Sequence, residues 1–108
     1  MAQTIEVTLI TIVTPAEFAD RLEEELRKLG ARGYTISGVS GQGQSRARWL
    51  GWFSTANVRI ETLVTRDVAT RILDHVAAQA DLRMFAFAQS VEAVPVQRFA
   101  SHLPVARI

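Results

Sequence analysis

Two amphipathic helix patterns, each placed between strand patterns, constrain the fold of this 108-residue chain most strongly. In the first pattern the apolar residues follow spacings of four, four and three and form one stripe on a helix; they are Phe18, Leu22, Leu26 and Leu29. The second pattern has the same kind of helical spacing at Val68, Ile72, Leu73, Val76 and Ala80. Runs rich in Ile, Val, Leu and Thr lie before, between and after the two helices, as is typical of strands.

Local signals predict where these elements begin and end. Thr14, Pro15 and Glu17 have the spacing of a capping box with proline at the first helical position, and Gly30 is placed to end that helix. Thr65 is expected to cap the second helix. Strands are expected over residues 4–13, 33–40, 57–65 and 82–94.

The resulting order is strand, helix, strand, strand, helix, strand. It predicts an α+β, ferredoxin-like βαββαβ sandwich, in which a four-stranded antiparallel sheet carries both helices on one face. The other face would then present apolar residues without a helix to cover them. In a chain of this size, such a face predicts an oligomer.

The composition excludes several classes of function. The length fits a single domain over residues 1–108, and the formal charge of +1 argues against nucleic acid as the main partner. The absence of cysteine excludes disulfides, thiolate metal sites and thiol nucleophiles. His75 and His102 have no companion at metal-ligand spacing, and Ser37, Ser40 and Ser45 have no base nearby in sequence. We therefore expect no catalytic residues, no metal and no cofactor, and a protein that is not an enzyme.

The N-terminus lacks the pattern of a signal peptide, and no apolar run approaches the roughly 20 residues of a membrane helix. We expect a cytoplasmic protein that does not insert into a membrane.

Residues 41–56 form a connection between two strands that is much longer than the two to five residues of a usual hairpin loop. Gly41 and Gly43 allow backbone amides to approach a ligand, and the two arginines that follow, Arg46 and Arg48, are candidates for an anion site. Long loops often carry function, so this one favours a binding or signalling protein over an enzyme.

The same loop carries three large apolar side chains, Trp49, Trp52 and Phe53. Exposed aromatic residues often mark a surface that binds a partner protein. The alternative is that they pack against the protein's own surface or at a subunit interface. The sequence leaves both open.

At this point the chain resembles the PII and PII-like signalling proteins. The resemblance covers the order of the elements and is most specific at residues 33–43, which are similar to the family's Gly-X-Thr segment and to the Gly-X-Gly motif before its long T-loop. Proteins of that family form trimers that bind adenine nucleotides in the clefts between subunits, and their T-loops engage a target protein. The resemblance therefore implies a homotrimer, a T-loop at about residues 44–56 and a C-terminal tail at about residues 95–108.

The resemblance also implies a set of ligand-binding residues. Those for the nucleotide are Gly33, Tyr34, Thr35, Gly41, Gln42, Gly43, Gln44, Leu63, Arg83 and Arg98. Those for a small anion, bicarbonate, are Ser45, Arg46 and Arg48. The family's glycine-rich B-loop is missing, because residues 77–82 contain no glycine to surround a triphosphate. AMP or ADP is therefore expected to bind in preference to ATP.

These departures resemble the PII-like branch associated with carboxysomes and with bicarbonate transport. That likeness implies a partner in inorganic-carbon metabolism, such as a bicarbonate transporter or a carboxysome-related protein. One alternative is a CutA-like trimeric metal-tolerance protein, which shares the topology, although the lack of cysteine and of clustered histidines argues against metal binding. Another is a small ferredoxin-like enzyme, which needs a polar constellation in its core that the sequence does not supply.

Overall fold

The computed structural model describes residues 1–39 and 57–100, apart from the side chains of Val39 and Ala100. The elements are strand β1 (Ile5–Pro15), a 3₁₀ turn (Ala16–Phe18), helix α1 (Ala19–Leu29), strands β2 (Thr35–Val39) and β3 (Asn57–Val64), helix α2 (Arg66–Ala77), strand β4 (Phe85–Ala93) and a short helix α3 (Val96–Ala100). The strands form one sheet in the order β2-β3-β1-β4, and each neighbouring pair is antiparallel. The expected βαββαβ fold is confirmed, and the strands begin and end within three residues of the predicted bounds.

The core lies between the sheet and the two long helices. Ile10 and Ile12 of β1 are fully buried, and Ile12 is paired with Ile60 of β3 on the same face. These side chains pack with four buried residues of the helices, which are Leu22 and Leu26 of α1 and Ile72 and Val76 of α2. Each fully buried side chain of this kind contributes about 1.5–3 kcal/mol of transfer free energy, so this layer holds the helices on one face of the sheet.

The start of α1 differs from the prediction, because Thr14 does not cap it. β1 continues through Thr14 and Pro15, which pair with Val58 and Asn57 of β3. The Thr14 side chain is fully buried and its Oγ1 donates to the Pro15 carbonyl oxygen at 3.3 Å, so it makes no cap. A side-chain cap contributes only about 1 kcal/mol, and the long-range strand pairing outweighs it here.

Two other predicted helix signals are confirmed, whereas Pro15 and Phe18 lie before α1 and Ala80 lies after α2. Gly30 ends α1 in the left-handed conformation, with φ of 117°. Thr65 caps α2, since its Oγ1 accepts a hydrogen bond from the Val68 N–H at 3.2 Å. The spacing predicts Ala80 on the apolar stripe of α2, but the helix ends at Ala77 and Ala80 is exposed with φ of 59°.

The opposite face of the sheet carries apolar residues. Ala86 of β4 packs against the core, so its neighbours Phe85 and Phe87 point to the other face, where they are 39% and 47% exposed. Leu9 and Leu63 are paired on that same face. The short helix α3, which falls in the predicted tail, lies near these two leucines. The apolar face expected from the sequence is present.

Candidate functional site

A cleft of about 450 Å³ opens where β2 begins, and Leu9 and Leu63 line it from the face opposite α1 and α2. This volume lies within the range of small-molecule pockets. Its lining comes from four parts of the chain: Leu9 of β1, the segment Gly33, Tyr34 and Thr35, the β3 residues Glu61, Thr62 and Leu63, and the α3 residues Arg98 and Phe99. Strand pairing and the position of α3 bring these distant segments together.

Five of the ten predicted nucleotide-binding residues meet in this cleft, namely Gly33, Tyr34, Thr35, Leu63 and Arg98. Leu9, Glu61, Thr62 and Phe99 also line it and were not anticipated. Strand alternation was a signal for Glu61, because it lies two residues before Leu63 and so on the same face of β3. Leu9 required the register that pairs it with Leu63.

A side chain of β3 holds the Gly33 segment in place. The Thr62 hydroxyl is buried and donates a hydrogen bond to the Gly33 carbonyl oxygen. Thr35 then pairs with Glu61, and the ladder continues along β2. One wall of the cleft is therefore built on paired strands. A Cβ at Gly33 would meet no described atom within 4 Å, so the chain's own packing there does not require glycine.

Tyr34 links the cleft to α1. Its hydroxyl donates to Glu23 Oε1 at 2.7 Å. This hydrogen bond raises the pKa of Tyr34, with further contributions from burial and from the Glu23 charge, while Arg27 acts in the opposite direction. The phenol therefore stays protonated at neutral pH, and its hydrogen bond to Glu23 ties this wall of the cleft to α1.

The charged residues of the cleft are of opposite sign. Arg98 of α3 is exposed, and no described residue accepts a hydrogen bond from its guanidinium or pairs with it. Glu61 of β3 is half-buried. A guanidinium binds carboxylate and phosphate groups through parallel hydrogen bonds, so Arg98 is suited to hold an anion at one end of the cleft.

Arg83 does not line this cleft. It lies in the connection between α2 and β4, where its side chain pairs with Asp81 and lies over the Phe18 ring. Its predicted contact with a nucleotide is not part of this cleft and stays a prediction.

The remaining predicted site residues fall outside the described part of the chain. They are Gly41, Gln42, Gly43 and Gln44 for the nucleotide, Ser45, Arg46 and Arg48 for the anion, and Trp49, Trp52 and Phe53 for a partner. His102 and the expected T-loop bounds also lie there. All of these stay predictions.

Residues 1–39 and 57–100 contain no group of three or more His, Asp or Glu side chains that could hold a metal ion. None of the helices in this part of the chain is long and apolar enough to cross a membrane. His75 links the two long helices, because its Nε2 on α2 lies within hydrogen-bond distance of Glu25 Oε1 on α1, at 2.7 Å.

Comparison with known proteins identifies relatives. The sequence model of the family described as Nitrogen regulatory protein P-II matches residues 7–100. A crystal structure from Thermus thermophilus, described as that of a PII-like signalling protein, is 30% identical with a TM-score of 0.73, and the match covers 95% of this chain and 100% of that one. No curated protein shows significant similarity to the chain.

More distant structures share the fold. CPII from Thiomonas intermedia, bound to ADP, AMP and acetate, is 17% identical with a TM-score of 0.72 over 89% of this chain and 96% of that one. CPII bound to ADP, AMP and bicarbonate is 17% identical with a TM-score of 0.69 over 86% and 98%. At this identity the likeness extends to the fold, and it agrees with the resemblance noted from the sequence.

Proposed function

Because the chain belongs to the nitrogen regulatory P-II family, we propose that it is a non-enzymatic cytoplasmic sensor that binds an adenine nucleotide and signals to a protein partner. The observation that carries the proposal is the cleft itself. It brings the segment Gly33 to Thr35 together with Leu63 and Arg98, three parts of the chain that are distant in sequence, around one volume suited to a small molecule.

The lining of the cleft suits the parts of a nucleotide. Leu9, Leu63 and Phe99 offer apolar contact to a base, and Arg98 offers a cation to a phosphate. Glu61 is an acceptor for hydroxyl or amino groups, and its negative charge disfavours a phosphate beside it. AMP and ADP are the proposed ligands, with ATP binding more weakly. That ADP and AMP are bound in the CPII structures supports this choice.

The site is proposed to be completed in a homotrimer. Phe85 and Phe87 expose apolar surface on the face that also carries Leu9 and Leu63, which favours burial of this face between subunits. A neighbouring subunit would then bring Arg83 and residues 41–44 to the nucleotide phosphates. This arrangement accounts for the position of Arg83 away from its own cleft.

Bicarbonate is the proposed second ligand, bound by Ser45, Arg46 and Arg48. The presence of bicarbonate in CPII structures supports it. Residues 41–48 would contact both ligands, so each ligand would stabilise the same loop conformation and increase the affinity for the other. Trp49, Trp52 and Phe53 would then bind the partner, which we place in inorganic-carbon metabolism, as a bicarbonate transporter or a carboxysome-related protein.

Isothermal titration tests the proposal. AMP, ADP and ATP are titrated into the wild-type protein, Arg98→Gln and Arg66→Gln, with and without bicarbonate. Arg66 is a matched control, because it is an exposed arginine outside the cleft. Charge-assisted hydrogen bonds contribute about 1.5–3 kcal/mol, so R98Q is expected to weaken binding about tenfold or more, with R66Q unchanged.

The absence of binding of every adenine nucleotide, with and without bicarbonate, would contradict the proposal. A trimer that binds no nucleotide would instead favour the CutA-like alternative.

A further inference from the structure

The carboxylate of Asp81 organises the connection between α2 and β4. Its Oδ1 accepts hydrogen bonds from the Arg83 backbone N–H at 3.0 Å and from the Arg83 Nε at 3.2 Å. Its Oδ2 accepts from the Arg83 Nη2 at 3.0 Å. The Asp81 carbonyl oxygen accepts from the Met84 N–H at 3.0 Å. One residue therefore fixes both the backbone of this turn and the guanidinium that it presents.

The guanidinium of Arg83 is held on two sides and open on a third. The Phe18 ring centroid lies 5.6 Å from its central carbon, and Asp81 occupies its Nε and Nη2 edge. The two N–H groups of Nη1 have no acceptor among the residues that the structure describes. The Arg83 side chain as a whole is 42% exposed, so an anion from outside the chain can approach it, and these N–H groups are left to bind one.

Asp81 also supplies a negative charge at the same place. The hydrogen bonds from Arg83 hold the pKa of Asp81 below its usual value, so the carboxylate is ionised at neutral pH. An anion that approaches Arg83 is attracted by the guanidinium and repelled by the adjacent carboxylate. The repulsion grows with each further negative charge on the anion.

We infer that Asp81 determines the specificity for the number of phosphates on the nucleotide. It orients Arg83 towards a phosphate and reduces the affinity that each additional phosphate charge would add. The inference rests on the proposed function, in which Arg83 reaches the nucleotide of a neighbouring subunit. In the absence of the Asp81 charge, Arg83 would favour ADP over AMP more strongly. Asp81 therefore keeps the affinities for the two nucleotides close together.

A purely structural role for Asp81 is the alternative, and two substitutions separate the roles. Asp81→Asn keeps an oxygen that accepts from the Arg83 backbone N–H but removes the negative charge. Asp74→Asn is the matched control, because Asp74 is exposed on α2 and its carboxylate makes no hydrogen bond or ion pair with a described residue.

The experiment is titration of AMP and ADP into the wild-type protein, D81N, D74N, R83Q and the double variant D81N/R83Q. An interaction between two exposed charges changes an affinity by up to about fivefold. D81N removes the repulsion between Asp81 and the phosphates, so it is expected to raise the affinity for ADP about three- to fivefold and that for AMP by less. The change should vanish in the R83Q background, and D74N should match wild type.

Two results would overturn the inference and leave the proposed function intact. One is an ADP to AMP affinity ratio in D81N equal to that in D74N. The other is a gain that persists in the R83Q background. If the wild-type protein binds neither nucleotide, that result would contradict both the proposed function and this inference.

Thermal melting establishes whether D81N is folded. If it is not, R83Q alone decides the question. A loss of ADP affinity of about two- to tenfold agrees with an Arg83 that Asp81 has weakened, whereas no loss or a larger loss overturns the inference.

Discussion

The exposed apolar face of the sheet leads to a prediction about assembly, tested by the double substitution Phe85→Ser and Phe87→Ser. A phenylalanine presents roughly 150–250 Å² in total. At 39% and 47% exposure, the two rings together leave about 170 Å² of mostly apolar surface in contact with solvent. At about 25 cal/mol per Å², burying this surface in an assembly contributes about 4 kcal/mol per subunit.

Loss of about 4 kcal/mol per subunit corresponds to a factor of almost a thousand for each subunit in the equilibrium constant of assembly. The double variant is therefore expected to sediment as a monomer at micromolar concentration, where the wild-type protein sediments as a trimer. Substitution of a polar neighbour on the same face of β4, Gln89→Ser, should leave the trimer intact, because Gln89 lies between these rings and Val91 without adding apolar surface. Circular dichroism should show that both variants keep the fold, since neither ring belongs to the core.

Analytical ultracentrifugation provides the measurement. A wild-type protein that is monomeric at every concentration would refute the reasoning, and so would an F85S/F87S variant that remains trimeric. In either case this face of the sheet would not be the interface, and with a monomeric wild type the nucleotide site would have to be complete within one subunit.

The residues of the cleft and of the connection between α2 and β4 give three further predictions. Gly33→Ala should leave the melting temperature nearly unchanged, because the added Cβ meets no described atom, but should weaken AMP binding about tenfold in a titration if the ligand lies against this backbone. Tyr34→Phe should lower the melting temperature at neutral pH. Because the Tyr34 pKa is raised in the folded state, the higher melting temperature of the wild-type protein should persist below pH 10 and disappear as the pH rises through that raised pKa. Asp81→Asn should make the melting temperature less sensitive to acid. The lowered pKa of Asp81 gives the wild-type protein a stability that is present above pH 3.8 and is lost as the pH falls through the folded-state pKa. A difference in melting temperature between D81N and wild type that stays constant through this pH range would contradict the prediction.

The fold was predictable where the signals are local. The apolar spacing of α1, the glycine at its end and the Thr65 cap of α2 depend on a few neighbouring residues, and all three are present. Thr14 has an equally good local signal and does not cap, because its position is decided by pairing with β3 across more than forty residues of sequence. Propensity and capping contribute about 1 kcal/mol each and yield to such pairing.

The site was predictable only in part. Tyr34 and Leu63 were assigned to it from the resemblance to a family, since nothing in their spacing indicates that they share a cleft. Phe99 lines the cleft because α3 lies near the sheet, and no periodicity in the tail predicts that position. The pairing of Asp81 with Arg83 was also missed, because the two residues are separated by one position and meet only through the shape of the turn.

A crystal structure of the protein grown with ADP tests the central claim most directly. The proposed function predicts ADP in the cleft, with its base against Leu63, a phosphate within hydrogen-bond distance of Arg98, and Arg83 of a neighbouring subunit near the phosphates. An empty cleft at saturating ADP, or ADP bound at another surface of the chain, would contradict it.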